Sequence, residues 1–216
     1  MSDALCPCCG SVDESNTENT PSAGEWIRSD TPLDAALPPK LQSALGRFLG
    51  KQPVETLDEW VTEVRQYAGG TSISTEDLCH LDQQSEHWGT VNGERYYFAC
   101  FYDAVILAAL SEQPVDIRTK SPDGSVIEAR AVGSDSLAVT SKKAVFSFGI
   151  DASVTDSTGN RPSLDVGYAA ICPYVRAFSN PDAYERWAKT VHAPTVAMPL
   201  AGATELAMAL VKDSSR

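Results

Sequence analysis

The stretch Arg95-Tyr-Tyr-Phe-Ala-Cys-Phe-Tyr-Asp-Ala-Val-Ile-Leu-Ala-Ala-Leu110 decides how this chain reads. Its aromatic first half suits a buried strand, and the apolar run that follows suits a buried helix. Cys100 and Asp103 stand at the junction. With a helix beginning near Cys100, the i, i+3 spacing puts thiol and carboxyl on one face, about 5–6 Å apart at Cβ. A thiol in a first helical turn also meets the positive end of the helix dipole, which favours thiolate. A soft metal-binding sulfur is therefore expected beside a group able to carry a proton.

Upstream, Trp88-Gly-Thr-Val-Asn-Gly-Glu-Arg-Tyr-Tyr-Phe98 reads as a hairpin, because Asn92-Gly93 supplies the two positive φ values of a two-residue turn. Downstream, Val115 to Lys120 and Val126 to Val132 read as strands around Pro122-Asp123-Gly124, with further strands at 137–140 and 144–150. Residues 151–163 are rich in Asp, Ser, Thr and Gly and read as a loop. Val166 to Ile171 then leads into Cys172-Pro173, and Tyr174 to Phe178 alternates like a strand. Pro181 to Lys189 reads as a helix with proline in its first turn, Thr195 to Met198 as a strand and Leu200 to Val211 as an amphipathic helix.

Before the hairpin the pattern is helical. Leu41, Leu45, Phe48 and Leu49 form one stripe ending near Gly50; Leu57, Trp60, Val61, Val64 and Tyr67 form a second, capped by Thr56 and stopped by Gly69-Gly70. A short third helix is expected from Ser74 or Thr75 through Leu81. The predicted organisation is a Cys-containing tail over 1–37, a small helical subdomain over 38–87 and a larger domain over 88–216. The helical part is reminiscent of a reduced winged helix. Leu33 to Leu37 is an apolar patch able to dock. The fold class is α+β, with a mixed or antiparallel sheet packed with helices.

Hydrophobic residues make up 43 % of the 216, enough for a sizeable core. No apolar run reaches the roughly 18–20 residues of a membrane span, and no basic segment precedes an apolar one at the N-terminus; both point to a cytoplasmic protein. The net charge of −12 argues against nucleic acid as a partner, since no basic patch is available to neutralise phosphates. The acidity reads either as solubility or, because only 7 of the 17 basic residues are Lys, as adaptation to a salty cytoplasm. The six cysteines do not form the dense framework of a small secreted domain, so free thiols or metal ligands are expected. His80, His87 and His192 do not share metal-ligand spacing and read as structural.

The segment 96–110 resembles the signature of the organomercurial (alkylmercury) lyases: an aromatic strand end, Cys, two residues, Asp, then an apolar helix ending in Ala-Leu. Pro114 to Val132 is similar to that family's hairpin. Cys172, 72 residues beyond Cys100, matches its second cysteine, and Pro181-Asp-Ala-Tyr-Glu-Arg-Trp-Ala188 is similar to its Trp-Ala helix. The resemblance spans about residues 88–211. Pro173 stands where the family often has another cysteine, and the N-terminal region is shorter than the family's.

The resemblance implies protonolysis of carbon–mercury bonds in mercury detoxification. Cys100 and Cys172 would bind the mercury of an organomercurial substrate and Asp103 would relay the proton, the organic group lying against Phe98, Phe101, Tyr102 and Tyr174. The chemistry is consistent with these residue types, because soft thiolates select soft metals and a positioned acid delivers protons. No cofactor is expected; excess cellular thiol, and then a mercuric reductase, would accept the Hg(II). The alternative is a non-catalytic protein that binds or delivers mercury on the same fold, for which Asp103 would be superfluous. Cys6, Cys8 and Cys9 read as a thiol cluster that hands Hg(II) onward, as half a zinc site that Cys79 and His80 would have to complete, or as thiols with no specific role.

Overall fold

The computed structural model describes residues 24–28, 32–67, 73–78, 84–132, 136–154 and 163–211. A five-stranded antiparallel sheet is formed by β2 (His87–Val91), β3 (Glu94–Phe98), β4 (Pro114–Lys120), β5 (Val126–Val132) and β6 (Ser136–Val139), in the order β3-β2-β4-β5-β6. A second sheet has the order β1-β9-β7-β8, built from β1 (Glu25–Trp26), β7 (Val145–Gly149), β8 (Ala177–Phe178) and β9 (Thr195–Pro199). Strand β1 runs parallel to β9; the other pairings are antiparallel. With six α-helices beside these sheets among the described residues, the fold is α+β.

The hairpin forms as the sequence dictates, with Asn92 and Gly93 at φ 51° and 83°. Strand β4 alternates strictly, burying Val115, Ile117 and Thr119 and exposing the residues between. Helix α3 (Tyr102–Ser111) packs against that buried face, and its residues from Tyr102 to Ala109 are all buried. A helix apolar on all sides belongs in the interior, and here it lies between the sheet and α6 (Ala203–Val211). Gly89 on β2 permits the close approach: a Cβ there would sit 2.9 Å from Val115 Cγ1 and 3.2 Å from Ala104 Cβ. Tyr102 closes the other side by donating its hydroxyl to Ala203 O at 2.6 Å.

Helices α1 (Pro39–Leu49) and α2 (Leu57–Tyr67) form as expected, α1 ending on Gly50 at φ 65° and α2 opening with Glu59 N–H donating to Thr56 Oγ1 at 3.2 Å. Both share one continuous core with α3, α6 and β7. Three expectations are corrected. Residues 24–28, assigned to the tail, enter the fold: Glu25–Trp26 pair with β9 and Ile27 is buried, because the edge of β9 offers unpaired backbone groups. The third helix is a single 3-10 turn at Thr75–Asp77 within the described residues. Residues 155–162, within the stretch expected as a loop, lie outside the described residues; beyond them the chain forms helix α4 (Leu164–Ile171), followed by a 3-10 turn at Cys172–Tyr174, so the expected 174–178 strand shrinks to Ala177–Phe178. Helix α5 (Pro181–Ala188) opens on Asn180, whose Oδ1 accepts from Ala183 N–H at 3.0 Å. No described helix is long and apolar enough to cross a membrane.

Substituting Gly89→Val should force α3 away from the sheet and lower stability by about 1–3 kcal/mol, as overpacking does. Urea unfolding measures this; an unchanged midpoint would mean that α3 does not lean on β2 at this point.

Candidate active site

Cys100 lies just before α3, with Phe101 at the helix N-cap, and Asp103 falls in the first turn. Cys172 comes from the C-terminal end of α4, where the chain turns through Cys172-Pro173-Tyr174. These two helix ends bring the three side chains together: the sulfurs and a carboxylate oxygen all lie within 4.8 Å of one another. Among the described residues they are the only such trio. The Cys100 thiol donates to Asp103 Oδ2 at 3.4 Å. Cys100 is 4 % exposed and Asp103 2 %, whereas Cys172 is half-buried.

The electrostatics reverse one expectation. The Cys100 thiol is held well above its ordinary range by its hydrogen bond with Cys172, by burial and by the negative charge of Asp103; the Tyr102 backbone N–H opposes this and loses. The helix start does not yield a thiolate, because a desolvated sulfur beside a carboxylate keeps its proton. The site therefore stores a proton at Cys100, in hydrogen-bond contact with an acceptor.

The trio opens onto a cavity of about 120 Å³ that is otherwise largely hydrocarbon. Of the four aromatic residues expected in its wall, only Tyr102 is there. Phe98 is wholly buried in the core, Phe101 packs edge-on against Phe146, and the Tyr174 hydroxyl points to His192. Aromatic residues that sequence reasoning passed over supply the wall instead: Phe48, Trp60, Phe146, Phe148 and Tyr168. In the sequence, Trp60 and Phe48 read only as members of helical stripes. No signal in a sequence separates a residue that faces a cavity from one that fills a core. Cys6, Cys8, Cys9, Cys79 and His80 lie outside the described residues.

The turn carrying Cys172 is pinned from behind. Arg176 Nε donates to Pro173 O at 3.0 Å, and Ser147 Oγ donates to Tyr174 O at 2.8 Å. Arg176 Nη1 also donates to His87 Nε2 at 3.0 Å, which places the ring proton on Nδ1, donated to Thr119 Oγ1 at 2.7 Å. His87 is thus structural, as expected, and links the five-stranded sheet to the Cys172 turn. Burial, then the Arg176 charge, push its pKa down to about 4. His192 is the surface partner of Asp151, at 2.9 Å.

Residues 82–212, more than half of the chain, match the family model described as MerB: Alkylmercury lyase. No curated protein matches. Among solved structures, a crystal structure of the mercury-bound form of MerB2 is similar, with a TM-score of 0.45 and 15 % identity, over 79 % of this chain and 97 % of that one.

Two outcomes are expected. Alkylation followed peptide by peptide should leave Cys100 unmodified near neutral pH. Asp103→Asn, which leaves the Cys172 contact and burial in place but removes the charge that adds to them, should speed its modification; an unchanged rate would remove Asp103 from the account of Cys100. For His87, the folded state keeps a neutral ring while an unfolded histidine titrates near 6.5, so the unfolded chain binds the extra proton between pH 6.5 and 4. The His87 contribution to stability is complete above that window and declines as pH falls through it, by on the order of 3 kcal/mol. Urea unfolding from pH 7.5 to 4.5 should show this slope, and His87→Gln should flatten it.

Proposed function

The chain belongs to the alkylmercury lyase family, and from that premise we propose that it cleaves carbon–mercury bonds by protonolysis, with Cys100 and Cys172 as mercury ligands and Asp103 as the proton carrier. The observation that supports these roles is the meeting of two thiols and a carboxyl within 4.8 Å at the wall of an apolar cavity.

The half-exposed Cys172 is the first to take the organomercurial R–Hg⁺ from its thiol carrier. The metal then bonds to Cys100, whose S–H bond breaks; the proton passes to Asp103 Oδ2, already its hydrogen-bond acceptor at 3.4 Å. Two thiolates donating into mercury raise electron density on the attached carbon. Protonated Asp103 delivers its proton to that carbon as the carbon–mercury bond breaks, releasing R–H. Mercury stays as Hg(II) on the two sulfurs, and Asp103 is a carboxylate again. Charge and protons balance, with Cys100 as the source of the hydrogen in the hydrocarbon. No cofactor is required. External thiols lift off the Hg(II) for a mercuric reductase, in a cytoplasmic setting.

The test is incubation with methylmercury and excess small thiol, with methane measured in the headspace. Wild type should release methane and Hg(II). Cys100→Ala and Cys172→Ala should each abolish turnover. Asp103→Asn should still bind mercury but release methane about 10²–10⁴-fold more slowly, the span expected for loss of a positioned acid. Full activity in Cys172→Ala would overturn the two-thiol scheme, and Hg(II) binding without any methane would leave a mercury-binding protein.

A further inference from the structure

Part of the cavity wall comes from residues outside the family-matched segment 82–212: Phe48 on α1, Trp60 and Val64 on α2, and Ile73. Val64 follows Trp60 by four positions, so both lie on one face of α2. The Trp60 indole is buried and meets Phe48 with ring centroids 6.4 Å apart and Phe148 edge-on at 6.1 Å; both of those rings also line the cavity. The indole is therefore the largest group in the wall and is braced on two sides by aromatic rings.

The wall offers the organic group little besides shape. Both tyrosines in it are tied by their hydroxyls to backbone carbonyls, Tyr102 to Ala203 O and Tyr168 to Asp77 O. Fit then depends on size. An apolar cavity of roughly 150 Å³ admits one benzene ring; this one, at about 120 Å³, is smaller, so a single aryl ring stands at the upper end of what it takes.

We propose that Trp60 sets the upper size limit on the organic group, and that this limit lies between a one-ring and a two-ring aryl group. The residue selects substrate and takes no part in bond cleavage. Selectivity is thus carried by the helical region that lies N-terminal to the family-matched residues. The relevance of the limit to catalysis rests on the lyase reading, but its physical content can be measured without turnover.

The experiment compares wild type, Trp60→Leu, Trp60→Phe and Val64→Phe in two assays. The first is calorimetric binding of benzene and naphthalene, each referred to its partition into alkane. The second is release of the same hydrocarbons from phenyl- and naphthylmercury. Wild type should favour benzene. Trp60→Leu should move the naphthalene-to-benzene ratio upward by roughly tenfold or more, the scale on which pocket size discriminates. Trp60→Phe should move it less, in the same direction, and stands in should the leucine variant not fold. Val64→Phe should weaken benzene as well.

A wild type that takes naphthalene as readily as benzene overturns the proposal. So does an unmoved ratio in either folded Trp60 variant. Should the binding ratio move while no mercurial releases hydrocarbon, the size limit stands and the lyase assignment falls. Hydrocarbon release with an unmoved ratio has the opposite meaning.

Discussion

A buried thiol in hydrogen-bond contact with a buried carboxylate does not readily give up its proton to solvent, because that would leave two anions side by side where water cannot screen them. Cys100 and Asp103 are such a pair, 3.4 Å apart and almost wholly enclosed. In the proposed reaction, what releases the proton is a cation that bonds to sulfur. The pair would then respond to a soft metal rather than to pH, freeing its proton once a carbon–metal bond has entered the site. The apolar lining belongs to the same logic, since water in the cavity would screen the interaction that holds the proton back.

The scaffold exists to keep three atoms in register. Cys100 and Asp103 ride on the start of a helix that is buried on all sides and cannot shift without disturbing the sheet, α6 or both. Cys172 sits on a short 3-10 turn. It is fixed by polar contacts that sequence distance conceals: Arg176 and Ser147 hold the carbonyls of the next two residues, and neutral His87 anchors Arg176. Pro173 adds a fixed φ within that turn. Both sulfurs are thus held by backbone, with the side chains adding only one rotatable bond each.

Much of this could be read from the chain. Aromatic strand, Cys-x-x-Asp and apolar run located the helix entry, and Asn92-Gly93 located the hairpin, because local chemistry decides both. Cys172 was found through family resemblance alone, since nothing local distinguishes it from a buried small hydrophobe. The missed features are all tertiary. A two-residue strand such as Glu25–Trp26 exists only because β9 is beside it. Residues 164–171 are too short an apolar run for periodicity to decide between helix and strand. The thiol's protonation is not legible in the chain, because the helix dipole is visible in a sequence whereas the contact with Cys172, desolvation and the distance to Asp103 are not. The wall residues Trp60, Phe146 and Phe148 carry the same pattern as any core.

The raised proton affinity of Cys100 bears on both ends of the proposed cycle. On entry it confines the negative charge of the buried pair to Asp103 and would supply the hydrogen that leaves in the hydrocarbon. On exit it favours release, because each incoming thiol that takes a mercury bond brings a proton, and a sulfur with high proton affinity accepts it readily. A site built from two strongly acidic thiols would hold Hg(II) as stable thiolates and lose its proton source together with its means of turnover. Placing one sulfur inside, beside the acid, and the more exposed one at the cavity wall gives binding and release different starting points in the proposed cycle. In the proposed cycle, the asymmetry in burial between Cys100 and Cys172 is what would let a pair of soft ligands serve as a catalyst and not only as a trap.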